Sequence, residues 1–285
     1  MNDIPAHNLR TRLSHANERR KRAARNRRLK RHFLHASLVN DAPSPEDICN
    51  ALAMLEPLEI DAPLIRVGPD KDGGYVLPDD LTDISALFSP GVSREIGFDH
   101  AMADRGVECF LADASIDVPP NLRPNMHFIS KFVGTSDDRQ LITMQSWIDR
   151  SEVVGSELML QMDIEGAEYD VLHTVSPEIL ARFRLIILEI HDLQRLAERA
   201  WLNRFSAVIS KLNSGHVLCH LHTNNAGGFF EFDGRIVPEV IELSYIRADR
   251  VRPTGVTAKI PHPLDIPNTR KLIDIPNSCF WRSPA

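Results

Sequence analysis

The stretch "LMLQMDIEGAEYDVL" (Leu158–Leu172) carries the reading of the fold. Its opening run is apolar except for Gln161, the pattern of a strand covered on both faces, as in a parallel sheet sandwiched between helices. Asp163, Glu165, Glu168 and Asp170 then crowd into the next eight residues. In open α/β sheets, ligands bind beyond the carboxyl ends of the strands. Asp163, the first polar residue past the run, is therefore expected to point into such a crevice. Glu165 and Glu168 have a plainer explanation as well, because acids at a helix start meet the positive end of its dipole.

Working outward, strand-like and helix-like segments alternate. "ALFSPGV" (Ala86–Val92) reads as a strand and "EIGFDHAMADRG" (Glu95–Gly106) as a helix closed by glycine. "ECFLADAS" is a second strand, "NMHFISKFVG" a third, and "LITMQSWIDRS" a short helix. After the Leu158 strand and its helix comes a fifth strand, "FRLIILEIH". "LQRLAERAWLNRFSAVISKLN" follows as one long amphipathic helix stopping at Ser214-Gly215. Strands separated by helices imply parallel pairing with right-handed crossovers. "HVLCHLH" and "VIELSYIRA" have no helix between them and should pair antiparallel across a long loop. The expected fold class is α/β, Rossmann-like, a doubly wound mostly parallel sheet closed by an antiparallel C-terminal hairpin. That is the layout of class I methyltransferases.

Composition sets the remaining bounds. A chain of 285 residues with 43% hydrophobic and 25% charged residues is an ordinary globular sequence long enough for a full core. No window approaches eighteen uncharged apolar residues, which argues against a transmembrane helix. The N-terminus lacks the apolar segment of a secretory signal. Four cysteines (Cys49, Cys109, Cys219, Cys279) stand far apart without a Cys-x-x-Cys pair, against zinc and against a disulfide framework. A cytoplasmic setting is expected. Residues 1–45 hold 11 of the 33 Lys and Arg against the three acids Asp3, Glu18 and Asp41, so this stretch carries +8 and the other 240 residues −14. The basic extension 1–45, helical or disordered, suits peripheral contact with an anionic membrane surface. Nucleic acid is a poor partner for so acidic a body. "DAPSPED" (Asp41–Asp47) marks the boundary, with Ser44 as a helix cap, before a domain over 46–285.

The residues that follow each strand are the candidates for a site. Gly91 permits a tight turn or a close backbone approach after the first strand, without the glycines of a dinucleotide fingerprint. Asp113, about twenty residues on, can accept both hydroxyls of a ribose, or serve as a turn or cap. Together they suit a nucleoside carrying an anionic tail, either S-adenosylmethionine or the adenosine half of a dinucleotide, and the missing glycines favour the former. Beyond the fifth strand stand Glu189, His191 and Asp192, and the closing hairpin adds His220, His222, Asn224 and Asn225. Alternation puts Glu189 with His191, and His220 with His222, on shared faces.

"LMLQMDIEGAEYDVL" followed by "LIILEIH" resembles the FkbM-type methyltransferase domain (methyltransferase type 21), marked by Asp-x-Glu-Gly-x-Glu, a helix, and a strand ending in Glu-x-His. "LITMQSWID", "DKDGGYVLPDDL" and "HLHTNN…FDGRIVPEVIELSYIR" are similar to its flanks, so the resemblance spans roughly residues 64–249. It implies O-methylation of a hydroxyl by S-adenosylmethionine. The acceptor it implies is most often a sugar or a glycan or glycolipid precursor, in settings such as polysaccharide biosynthesis. The expected cofactor contacts are Gly91, Asp113, Ala114 and Asp163, and the expected catalytic residues are His191, His222 and Asp163. A sugar hydroxyl needs either a histidine base, His191 or His222, or a divalent metal, magnesium or manganese, on Asp163, Glu189 and His191. Asp163 can instead hold the cationic end of the cofactor. Two rivals belong to other classes: a non-catalytic binding module on the same fold, and an NAD-dependent enzyme.

Overall fold

The computed structural model describes residues 42–93, 95–155, 157–270 and 280–281. The basic extension up to residue 41 and Cys279 lie outside the described residues. Ser44 does cap the first helix of the described residues, α1 (Pro45–Ala53): its side chain accepts from the Asp47 amide while Asp47 accepts from the Ser44 amide. Replacing Ser44 with Ala is expected to cost about 1 kcal/mol, read as a melting temperature lower by about 2–4 °C.

Seven strands form the main sheet: β1 (Ala86–Pro90), β2 (Glu108–Ala112), β3 (Met126–Ile129), β4 (Leu158–Met162), β5 (Phe183–Ile190), β6 (His216–Thr223) and β7 (Ile241–Arg247). Their spatial order is β6-β7-β5-β4-β1-β2-β3. Neighbours from β5 through β3 pair parallel, and β7 runs antiparallel between β5 and β6. The chain winds outward from β1 to β3, returns to the other side of β1 as β4, and winds outward again. The strand order thus reverses between β1 and β4. There the Asp163 amide donates to the Pro90 carbonyl at 3.3 Å.

Alternation along the strands feeds two apolar layers. Ala86, Phe88, Leu158, Leu160, Ile186 and Leu188 face one layer, built with α1, α3 (Met144–Arg150), α4 (Glu168–Thr174) and α5 (Arg199–Gly215). Leu87, Met159, Leu185 and Ile187 face the other, with α2 (Gly97–Ala103) and a hairpin of Leu64–Val67 and Tyr75–Pro78. Every residue of β4 and β5 is buried. At about 25 cal/mol per Å² of apolar surface, that burial is the main drive for the sheet.

Three expectations need correction. "NMHFISKFVG" is two strands, because the chain turns at Ser130-Lys131 and Phe132–Gly134 pairs with Leu141–Thr143. Lys131 Nζ holds that corner by donating to the Asp138, Arg139 and Leu141 carbonyls. "LITMQSWIDRS" accordingly opens as a strand, and α3 starts only after Thr143, its cap. The long helix is broken at Glu198, whose backbone is extended between a 3-10 turn (Leu193–Ala197) and α5. Arg195 fixes the break: it forks onto Glu198 at 3.2 Å and lies 3.7 Å above the Trp201 ring. The closing hairpin pairs antiparallel as expected, and its loop folds into a smaller hairpin turned by Asp233-Gly234, both at positive φ. Among the described residues no helix is long and apolar enough to cross a membrane.

Candidate functional site

The polar side chains gather on one face of the sheet at the carboxyl ends of β4 and β5. Glu189 sits directly opposite Glu242 of β7, which sits directly opposite His222 of β6. A bulge at Leu218–His220 reverses the alternation of β6, so His220 and His222 join this face while Leu218 and Leu221 serve the other. Two like charges placed opposite each other destabilise a sheet unless a proton or a cation separates them. Among the described residues no Lys or Arg forms an ion pair with Glu189 or Glu242.

The turn after β4 is shaped by its own sequence. Glu165 takes φ +55° and Gly166 φ +103°. This left-handed step, which glycine favours, aims the Ile164 and Gly166 amides at Glu168 Oε1, at 3.0 and 3.2 Å. Glu168, with no exposed surface, therefore turns back into the turn and also meets His191 Nδ1 at 3.1 Å. Tyr169 adds a hydrogen bond from its hydroxyl to the His191 carbonyl, at 2.8 Å. His191 Nε2 then lies 3.7 Å from Asp163 Oδ1, 3.7 Å from Glu165 Oε2 and 3.6 Å from Glu189 Oε1.

Those distances exceed the 2.7–3.2 Å of a hydrogen bond. They approach the roughly 3.0–3.4 Å between neighbouring ligands of one cation bound at about 2.1 Å. Asp163 Oδ1 is buried without a hydrogen-bond partner. Asp163, Glu189 and His191 can together offer ligand atoms within 4.8 Å of one another, and so can Asp72, Glu189 and Glu242. Glu189 is shared by both groups and is steadied by Asn224 Nδ2 at 2.9 Å.

Electrostatics follow from crowding. Burial, with Glu165, Glu168 and Asp72 nearby, pushes Asp163 up to about 7 against the pull of His191. Burial and the neighbouring acids likewise hold Glu189 well above the carboxylate range, and burial raises Glu242. At His191, burial favours the neutral ring but is outweighed by Glu168 and the other acids, so its pKa rises. Burial opposes charge on His222 as well. Asp265 and Glu242 overcome it and lift His222 to about 9.

The remaining candidates separate into groups. His220 meets Asp265 at 2.9 Å, and His222 lies between Asp265 (3.6 Å) and Asn268 Oδ1 (3.2 Å), all buried beneath the segment that carries Asp265 and Asn268. Asn225 fastens Thr269 of the same segment. Asp113 accepts from the Ser115 amide and hydroxyl, both at 2.6 Å, which is the turn-forming role. Ala114 follows it, half-buried. Gly91, φ +88°, is demanded by the chain itself: a Cβ there would stand 1.7 Å from the Asp163 carbonyl oxygen. Replacing Gly91 with Ala is expected to cost at least about 3 kcal/mol, measurable by urea unfolding. A groove of about 820 Å³ lined by Phe110, His127, Trp147 and Arg150 contains none of these residues.

Sequence reading missed Asp72, Glu242 and Asn268. Asn268 Nδ2 donates to Asp72 Oδ1 at 2.9 Å and to Glu242 Oε1 at 2.5 Å, joining two remote loops at the crevice. Glu242 left a signal, a carboxylate inside the apolar strand "VIELSYI". Asp72 lies in "DKDGGYVLPDDL" without standing out there, and Asn268 left no signal, because neither belongs to a periodic segment. Comparison with protein-family models and with curated proteins finds no match.

Proposed function

We propose that the chain is an S-adenosylmethionine-dependent O-methyltransferase of class I architecture, acting on a hydroxyl of a sugar or glycan precursor with a divalent cation held by Asp163, Glu189 and His191. The observation that carries the reading is the imidazole–carboxylate group at the crevice where strand order reverses. Supporting it are the antiparallel strand set between β5 and β6 and the FkbM-like sequence around Asp163. One imidazole among carboxylates suits manganese among the harder cations. Such a cation, when bound, lowers the pKa of a coordinated hydroxyl.

The side chains have separate tasks. Asp163, at the switch point, faces the crevice that would receive the cationic donor. Gly91 and Asp113 follow the neighbouring strands β1 and β2. Asp113 Oδ1 is engaged by Ser115, which leaves Oδ2 for a ribose hydroxyl. Methyl transfer needs the acceptor oxygen in line with the donor's methyl group, and rigid strand ends supply that positioning. Against its burial, Asp265 and Glu242 lift His222 to about 9, so it is largely protonated at neutral pH and a poor proton acceptor. That favours the cation over His222 as the base.

Labelled methyl transfer to a panel of sugars and glycolipids tests the proposal. Base-stable incorporation, lost in chelator and restored by Mn²⁺, is the expected result. Incorporation only as a base-labile ester would overturn the hydroxyl acceptor, and chelator-insensitive transfer would overturn the cation.

A further inference from the structure

Glu168 is an unusual residue to find at a helix start. An acid that served only the helix dipole would sit in solvent, as Asp170 does beside Arg204. Glu168 instead has no exposed surface, and the hydrogen bonds of its carboxylate converge on one oxygen. Oε1 takes the Ile164 amide, the Gly166 amide and His191 Nδ1, while Oε2 is buried with no hydrogen-bond partner. Burying a charge this way is costly unless something nearby benefits from it. The beneficiary in reach is His191.

Imidazole has two nitrogens, and the partner of one decides the role of the other. An anchored carboxylate at Nδ1 can only accept, so Nδ1 must carry a proton. Nε2 is then left to face Asp163 and Glu189. Two amides fix Glu168 from the turn side, and the Tyr169 hydroxyl fixes the His191 backbone from the helix side. The segment "DIEGAEY" thus supplies Asp163, the left-handed turn, Glu168 and Tyr169 within seven residues.

Resting on the cation reading above, we infer that Glu168 is a positioning residue that holds His191 with Nδ1 as donor and delivers Nε2 to the cation. A carboxylate–histidine–metal arrangement of this kind changes metal affinity by about 10–100-fold when the outer carboxylate is lost.

The test is Mn²⁺ binding to the full chain, followed by the EPR signal of free Mn²⁺, with no donor or acceptor present. Glu168→Gln keeps the accepting oxygen and removes the charge. It is expected to weaken binding by about 3-fold. Glu168→Met removes both and is expected to weaken it by about 30-fold. Because Glu168 acts through His191, the same Glu168→Met change made in His191→Ala should weaken the remaining affinity by less than about 3-fold. Equal losses in the two backgrounds, or equal losses for Gln and Met, would overturn the inference. Melting curves in chelator check that each variant is folded. A second measurement needs no Glu168 variant. In the Zn²⁺-loaded wild-type chain, the His191 ring proton, assigned by ¹⁵N NMR against His191→Ala, should sit on Nδ1, and a proton on Nε2 would contradict the inference. Absence of Mn²⁺ binding by the wild-type chain would instead remove the cation reading itself. Intact wild-type binding with no effect at Glu168 removes only the positioning role.

Discussion

Replacing Asp163 with Asn is expected to abolish methyl transfer and, in the same variant, to raise the melting temperature. Asp163 is one of four acids around His191 Nε2 and Nδ1, and its Oδ1 is buried without a hydrogen bond. Its pKa of about 7 means that the folded chain disfavours the charged form. Above that pH the native carboxylate opposes folding, and an uncharged amide of the same shape relieves it. Every tenfold change in a group's proton affinity corresponds to about 1.4 kcal/mol. Water around a side chain 31% exposed reduces the net gain to about 1–2 kcal/mol. That is a rise of roughly 2–8 °C at pH 8 in chelator. On the proposed reading the same change removes a cation ligand and the charge facing the donor, so kcat/KM should fall by about 10³-fold or more, roughly 4 kcal/mol. A variant that melts lower would make Asp163 a structural residue, and one that keeps its activity would take it out of the site.

The second large effect concerns pH. Asp163, Glu189 and Glu242 have folded pKa values raised above their unfolded ones. Between about pH 4 and their folded values the native chain binds more protons than the unfolded chain, so stability falls as pH rises. His191 and His222 are raised too. Their contribution is full below about pH 6.5 and is lost as pH climbs through the folded value, about 9 for His222. Asp265 runs the other way, because its two histidines hold it far below the usual carboxylate range despite burial. Its stabilisation is present above about pH 4 and is lost only in strong acid. In chelator the chain should therefore lose about 3 kcal/mol or more between pH 5.5 and 8.5, since even one proton contributes about 1.4 kcal/mol per pH unit. Mn²⁺ should restore it, because a cation takes the place of those protons. A hundredfold excess over Kd adds about 2.7 kcal/mol, and the gain should be larger at pH 8.5 than at 5.5. Denaturant unfolding at the two pH values, with and without Mn²⁺, measures this. Stability that is flat or rising across the range, or an equal Mn²⁺ effect at both ends, would contradict it.

The sheet was legible because its signals are local in the chain. Apolar runs such as "LMLQM" and "LIILEI", too short for buried helices and set between helical patterns, read as strands buried on both faces, and the absence of a helix between "HVLCHLH" and "VIELSYI" pointed to an antiparallel pair. Side-chain interactions that override those signals were not legible. The Lys131 ammonium splits one expected strand into two, and the Arg195–Glu198–Trp201 cluster breaks one expected helix. Within the site, Asp163, Glu189 and His191 could be named from strand ends alone. Glu168 stood in view, but the helix dipole already accounts for an acid at that position, so nothing pointed to its contact with His191. Its turn toward His191 depends on the left-handed Glu165-Gly166 step, which sequence does not announce. Asp72 and Asn268 arrive from loops far apart in the chain, 196 residues from each other, and only the folded sheet brings them to Glu242.

The central claim is the donor. Calorimetric titration of the full chain with S-adenosylmethionine, S-adenosylhomocysteine and NAD, each with Mn²⁺ and with chelator, tests it most directly. The expected result is one site of about micromolar affinity for both adenosyl sulfur compounds, weakened by Asp163→Asn for the cationic donor more than for the neutral product, and no binding of NAD. Binding of NAD, or no binding of either sulfur compound by folded protein, would contradict the account and leave the crevice to a different chemistry.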